Sequence, residues 1–391
     1  MQSKLVPTVV AGASCAVLLG YFFAGGAPAA RAPAPGAYTV VGFNDLGMHC
    51  MQEDFSEICI LPPYNTLRAQ VIERGEEPEI LTSDVSVIYS VPNHMRASDK
   101  TNFWTFAPQL FGVQLAPDVG LTGNRLSGTM APRKEEGIWE VTGIPLVPVD
   151  DAGRLDPYPL GLITVTGSQG TATTRAVLPV SSEMSCSLCH NTPGISVAQD
   201  ILLKHDSLHG THLVDQKPVL CASCHADPAL GAPGQPGVSM LSHAMHGSHA
   251  PHAASSGLDN DCYACHPGVR TQCQRDVHHG LGIQCTDCHG GMSAVGNPAR
   301  IPWTDQPRCS DCHNKPGSDY EQPGKLFKDS IGHGGIYCVT CHGAPHAIGP
   351  ATTPVDNLQA ITLQGHAGPI NTCIVCHTSQ PKDSFFHKVK D

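Results

Sequence analysis

GHGGIYCVTCHGAPH, residues 332–346, sets two cysteines and three histidines inside one short run. Its centre is a Cys-x-x-Cys-His unit made by Cys338, Cys341 and His342. The same unit occurs at Cys186, Cys189 and His190; at Cys221, Cys224 and His225; and at Cys262, Cys265 and His266. It returns at Cys285, Cys288 and His289; at Cys309, Cys312 and His313; and at Cys373, Cys376 and His377. Seven copies use 14 of the 18 cysteines. Chance at this composition gives roughly one twentieth of a copy.

Three chemistries use such groups, and two of them fit badly. A redox dithiol would occur once and has no use for a histidine in every copy. A zinc ribbon takes two Cys-x-x-Cys units per metal, so seven copies leave one over and the histidine idle. Covalently attached haem explains every position. Two thiols add to the two vinyl groups, and the adjacent imidazole reaches the iron. Seven c-type haems, with their iron, are the cofactors expected.

Through residues 186–377 the chain resembles the multihaem c-type cytochromes of respiring bacteria. The resemblance is specific for the cofactor and much less so for the role, because that family holds electron carriers, quinol oxidases and reductases. First cysteines follow one another at 35, 41, 23, 24, 29 and 35 residues. So short a spacing leaves little chain for an ordinary core, and the porphyrins are expected to form the core themselves.

Each iron needs a second axial ligand or an open position. Beyond the seven proximal histidines, 15 remain, so histidine is in ample supply. His209, His246, His333 and His366 each adjoin a glycine, which lets backbone approach a flat group closely. His205 and His209 are four apart, and His243 and His246 three apart, so each pair shares a face of a short helix. His346 follows His342 by four residues, behind Pro345. The distal candidates are therefore His205, His209, His243, His246, His333, His346 and His366. His278, His279, His249, His212, His94 and His387 stand in reserve, and Met245 and Met292 are discounted.

Leu5 to Gly26 is uncharged and apolar, with Lys4 before it and Ala27-Pro28-Ala29 after it. Residues 1–30 read as a cleaved signal peptide or a retained N-terminal membrane anchor. Cys15 in that run fits a lipoprotein box poorly, since Gly12 stands where an aliphatic residue is wanted. An exported protein, periplasmic or at the cell surface, is also where so many cysteines belong.

Residues 36–180 hold no haem motif. Tyr38–Val41, Val85–Tyr89 and Leu162–Thr166 read as strands, with turn signals between some of them. A small sandwich or barrel is expected, followed by the multihaem cytochrome c domain at 181–391 with short helices and little regular secondary structure. Aromatic content of only 5%, with 40 glycines and 33 prolines, agrees with a loop-rich chain. Within the front half, Met48, His49, Cys50 and Met51 suggest a metal site such as copper, while Cys50 and Cys59 suggest a disulfide. Cys273 is left over and is an equal partner for Cys50.

The formal charge of −11 argues against nucleic acid as a partner. Neither a phosphate-cradling glycine loop nor a Ser-His-Asp arrangement is present. The leading expectation is an electron carrier, not an enzyme, whose partners are other redox proteins. The alternative is a multihaem oxidoreductase with one open iron acting on a small nitrogen or sulfur oxyanion. A subunit of a self-assembling cytochrome filament is the third.

Overall fold

Tyr-Thr-Val-Val-Gly-Phe is apolar without alternation, and a strand that reads so is buried on both faces. In the computed structural model, which describes residues 36–313, 321–382 and 387, this strand is β1 (Tyr38–Phe43), and all six of its residues are buried. The front half continues with β2 (His49–Cys50), β3 (Ile58–Cys59), β4 (Thr66–Glu73), β5 (Glu79–Ile80) and β6 (Val85–Ser90). After helix α1 (Phe103–Phe111) come β7 (Ser127–Thr129), β8 (Ala131–Arg133), β9 (Ile138–Thr142), β10 (Leu160–Gly167), β11 (Gly170–Val177) and β12 (Val180–Ser181). One antiparallel sheet runs β1-β4-β9-β8, with β5 added to β4; a second runs β11-β10-β6-β7.

The two sheets share a core. Val40, Leu67, Ala69 and Val71 from the first meet Val87, Tyr89, Ile163, Val165 and Ala176 from the second. The approach is close at Gly42, where a Cβ would lie 2.5 Å from Ile163 Cδ1, so only glycine fits. Helix α1 adds Phe103, Trp104, Ala107 and Leu110 to the same core and ends at Gly112 in the left-handed region, φ 69°.

The cysteine-rich half has little regular structure, only short helices and single turns; the described residues as a whole are 27% helical and 19% strand. Its main helices are α2 (Val197–His209), α3 (Leu241–His249), α4 (Val277–Gly280), α5 (Cys285–His289), α6 (Met292–Val295), α7 (Cys338–His342) and α8 (Leu358–Gln364). Helix α2 starts at a Ser196 cap and stops at Gly210.

What lies against the outer face of the first sheet is this half. Alternation along β4 sends Leu67, Ala69 and Val71 inward and Arg68 and Gln70 outward. Gln70 Oε1 accepts from Tyr337 N at 3.0 Å and Thr340 Oγ1 at 2.7 Å. Arg68 pairs with Glu140 and Asp329. Phe43 packs in a second cluster with Ile138, Tyr337 and Val339. The Thr39 hydroxyl donates to the carbonyl of Val375, and Arg74 donates to those of Ile374, Val375 and His377.

Two short parallel pairings stitch the halves further: β12 with β2, and β13 (Val219–Leu220) with β3. The compositional boundary at residue 180 therefore falls inside a strand pairing, not in a linker. The outer edge of β1 is closed too. Gln359 on α8 accepts from Gly42 N at 2.9 Å and donates to Gly42 O at 2.8 Å, which removes a free strand edge. Residues 1–30, where a signal peptide or membrane anchor is expected, and Cys15 with them, lie outside the described residues. Among the described residues no helix is long and apolar enough to cross a membrane.

Candidate haem-iron centres

Each Cys-x-x-Cys-His unit folds as one helical turn. The histidine N–H returns to the carbonyl of the first cysteine, as in His190 to Cys186 at 2.9 Å and His266 to Cys262 at 2.8 Å. Positions i, i+3 and i+4 of a turn share a face, so both thiols and the imidazole are presented together. The fourteen motif thiols are free.

Opposite each motif histidine stands a second histidine. The pairs are His190–His249, His225–His205, His266–His246, His289–His346, His313–His278, His342–His387 and His377–His333. Their ring centroids are 6.3, 6.3, 6.1, 6.0, 6.2, 6.0 and 6.2 Å apart in that order. Rings in direct contact sit closer, as His205 and His209 do at 4.8 Å. Two imidazoles bonded to one metal at about 2.0 Å each have centroids about 6 Å apart, so the gaps fit an axially ligated iron.

The ring nitrogens agree. His246 Nδ1 meets Ser242 O at 2.7 Å, His249 Nδ1 meets Met245 O at 2.7 Å, and His225 Nδ1 meets Ser239 O at 2.8 Å. His377 Nδ1 meets Glu76 O at 2.8 Å. A carbonyl can only accept, so the proton sits on Nδ1 and the Nε2 lone pair is left for a metal. His205 and His278 hold Nδ1 against Thr211 Oγ1 (2.9 Å) and Asp276 Oδ2 (3.1 Å). Burial and neighbouring histidines push His266 and His346 down to about 4, so both rings are neutral, the ligating form. Burial also lowers His190, His205, His246, His289, His333 and His342.

Of the distal candidates, His205, His246, His333 and His346 face a motif histidine, and the reserves His249, His278 and His387 complete the set. His243 does not, because its Nε2 donates to Arg300 O at 2.7 Å. His209 lies tilted against His205, and His366 is exposed with Nδ1 on Ala367 O. His94 and His279 likewise use Nε2 on Asp156 and Gln272. The signal that separates His249 from His243 is tertiary, since all three α3 histidines repeat every three residues.

Comparison of the chain with known protein families, curated proteins and solved structures finds no match.

Shared elements fix which centres are neighbours. Helix α2 brings Asp200 to 3.8 Å from His190 Nδ1 and carries His205, joining the first and second. Helix α3 carries the partners of the first and third, and Ser185 N bonds Ala264 O between those two motifs. Asn260 reaches Cys285 Sγ at 3.7 Å, joining third to fourth. Burial pushes the Cys309 thiol to about 12, with Glu321 and Cys338 adding, which places the fifth beside the sixth. Cys312 raises Cys288 in the same way, and Ile370 N bonds Cys341 O next to the seventh. These contacts link second to first, first to third, third to fourth, fourth to fifth, fifth to sixth and sixth to seventh. His346, four residues after the sixth motif, faces His289 and links the sixth to the fourth as well.

A cavity of about 980 Å³ opens on Cys288 and His289. Trp303, Phe327 and Tyr337 line it, and so do Arg68, Arg133, Arg300, Arg308 and Lys325. Glu136, Glu140, Asp305, Glu321 and Asp329 line it too, so its rim is of mixed charge.

The front-half cluster does not form a metal site. His49 Nε2 meets Asp45 Oδ1 at 3.1 Å, and Met48 and Met51 are buried in packing. Among the described residues no three His, Cys, Asp or Glu side chains form a group able to hold a bare ion. Cys50 and Cys59 are free thiols on separate pairings, Cys50 opposite Ser181 and Cys59 opposite Leu220. Burial raises both, with Cys273 adding at Cys50 and Cys221 at Cys59.

Glu183 is a residue that motif reading passes over. Its buried carboxylate accepts from Val269 N (2.8 Å), Arg270 N (2.9 Å), Thr271 N (2.6 Å) and Thr271 Oγ1 (2.8 Å), clamping the loop after His266. Burial alone would raise this carboxyl, but the bonds from Arg270, Thr271 and Val269 outweigh it and hold it below the usual glutamate range. A depressed folded-state pKa stabilises above the unfolded value, about 4.3, and the stabilisation is lost as pH falls through the folded one. Glu183→Gln is expected to cost about 1–3 kcal/mol at neutral pH. Urea unfolding followed across pH checks this: the variant and parent curves should converge in acid.

Proposed function

We propose that the chain is an electron-transfer protein carrying seven covalently attached c-type haems, each held between a motif histidine and a second histidine. Haem iron, when bound, supplies one-electron chemistry at a potential set by its axial ligands and surroundings. Cys186 and Cys189 through Cys373 and Cys376 would attach the groups, and the fourteen paired histidines would ligate iron. The observation that carries the reading is the seven ring pairs at 6.0 to 6.3 Å, one per motif. If both imidazoles of each pair held one iron, the protein itself would leave no ligand position for a substrate, which favours transfer over catalysis.

The chain's residues do the remaining work. Nδ1 contacts fix ring orientation, burial keeps the imidazoles neutral, and shared helices hold neighbouring centres at fixed spacing. Electrons would enter or leave at the second and seventh centres, which end the spatial order, and the partners would be other redox proteins. Attachment at such motifs follows export, so the mature protein belongs outside the cytoplasm.

Low-temperature EPR tests the reading. All seven irons are expected to be six-coordinate and low-spin, with no binding of cyanide or nitrite at modest concentration. His249→Ala should turn one iron high-spin, while His243→Ala should leave all seven low-spin. A high-spin iron in the unmodified protein, with turnover of a small oxyanion, would replace this reading by that of a reductase.

A further inference from the structure

We infer that Gly47, Arg275 and Cys273 are positioning residues for His346, and that the haem-free front half shares in holding this ligand through Gly47. The inference rests on the haem reading above. His346 is half-buried and its backbone lies in the left-handed region at φ 61°, an uncommon conformation for a residue with a side chain, which the surrounding structure holds in place. Three contacts impose it here.

Gly47 comes from the loop between β1 and β2. Its own φ is 77°, and a Cβ built on it would fall 1.7 Å from Pro345 O and 3.4 Å from His346 Cβ. The loop thus lies directly on the Pro345–His346 backbone, with room for nothing larger than hydrogen. Arg275 ties both sides together: its backbone N–H donates to His346 O at 2.8 Å, and its Nη1 donates to Gly47 O at 2.5 Å. Cys273, two residues earlier, places Sγ 3.7 Å from His346 Nδ1.

That last contact sets the fourth centre apart from the four whose facing histidine holds Nδ1 against oxygen. His205, His246, His249 and His278 hold Nδ1 against oxygen: a hydroxyl, two carbonyls and a carboxylate. Sulfur accepts a hydrogen bond more weakly than any of these. The partner of a ligating imidazole's second nitrogen sets its basicity, and a weaker acceptor leaves a less basic imidazole. The fourth iron is therefore held at a higher potential than one facing an oxygen-bonded ring, the largest contrast being with His278 on Asp276.

Two variants of the whole haem-loaded chain test this, read by EPR, redox titration and intact mass. Cys273→Ser exchanges sulfur for oxygen with little change of shape. It should keep seven low-spin irons and move one component of the titration to lower potential. Gly47→Ala should retain seven haem additions and turn one iron high-spin, with a signal that coincides with that of His346→Ala. An unshifted titration in Cys273→Ser overturns the proposal, even where Gly47→Ala does not fold. Seven low-spin irons in a folded Gly47→Ala variant overturn it as well. Fewer than seven haem additions in the parent protein would count against the haem reading instead.

Discussion

Replacing Cys262 and Cys265 together with alanine is expected to leave a protein that carries six haems and no longer exchanges electrons between its ends. The third motif lies between the first and fourth in the spatial order, joined to one through α3 and to the other through Asn260 and Cys285. Desolvation by its surroundings lowers the pKa of its His266 to about 4, and His246 and His289, between which it stands, both help. Intact mass should fall by one haem from seven. Rapid reduction followed by stopped-flow absorbance should split into two phases, one for the first and second centres and one for the fourth to seventh. Removing the seventh motif instead, at Cys373 and Cys376, should also cost one haem and leave a single phase. A single phase in the Cys262/Cys265 variant would show that the order read from shared elements is wrong.

A second large effect is expected at Arg275. This side chain is 1% exposed and pairs through two nitrogens with Asp356, itself 4% exposed, at 2.7 and 3.0 Å. Its guanidinium also lies 4.9 Å from the Tyr158 ring centre. Arg275→Met keeps the apolar stem but strands a buried carboxylate, a change that costs about 3–5 kcal/mol. Chemical unfolding monitored by far-ultraviolet circular dichroism should show it. Replacing both partners, Arg275→Met with Asp356→Leu, should recover much of the loss, because no charge is then left unpaired.

The seven Cys-x-x-Cys-His motifs are legible in the sequence, because the proposed covalent chemistry would dictate the residues and their spacing within five positions. The histidines that face the motif histidines were legible only in part, for a physical reason visible on α3. His243, His246 and His249 are equivalent by sequence period, and what separates His243 is a carbonyl of Arg300, distant in the chain, that takes its Nε2. His278 and His387 likewise carry no local mark, since neither adjoins the motif it faces. The strands at Tyr38–Val41, Val85–Tyr89 and Leu162–Thr166 showed their apolar pattern plainly, and the structure holds them in β1, β6 and β10. The interlock of the halves did not show, because pairings of two residues, such as Cys59 opposite Leu220, leave no pattern to read.

The first sheet's outer face has a consequence for how the protein is made. Strand β1 and its neighbour β4 leave the ribosome early, yet Thr39, Gln70 and Arg74 find their partners at Tyr337, Thr340 and residues 374–377. The sixth motif covers Phe43 and Gln70, but until the last motif arrives Thr39 and Arg74 lack their carbonyl partners at residues 374–377. The beginning of the chain therefore completes its fold only when the end is in place. A molecule truncated before residue 373 would remain open at its first strand, and so be marked for proteolysis however many earlier motifs were filled.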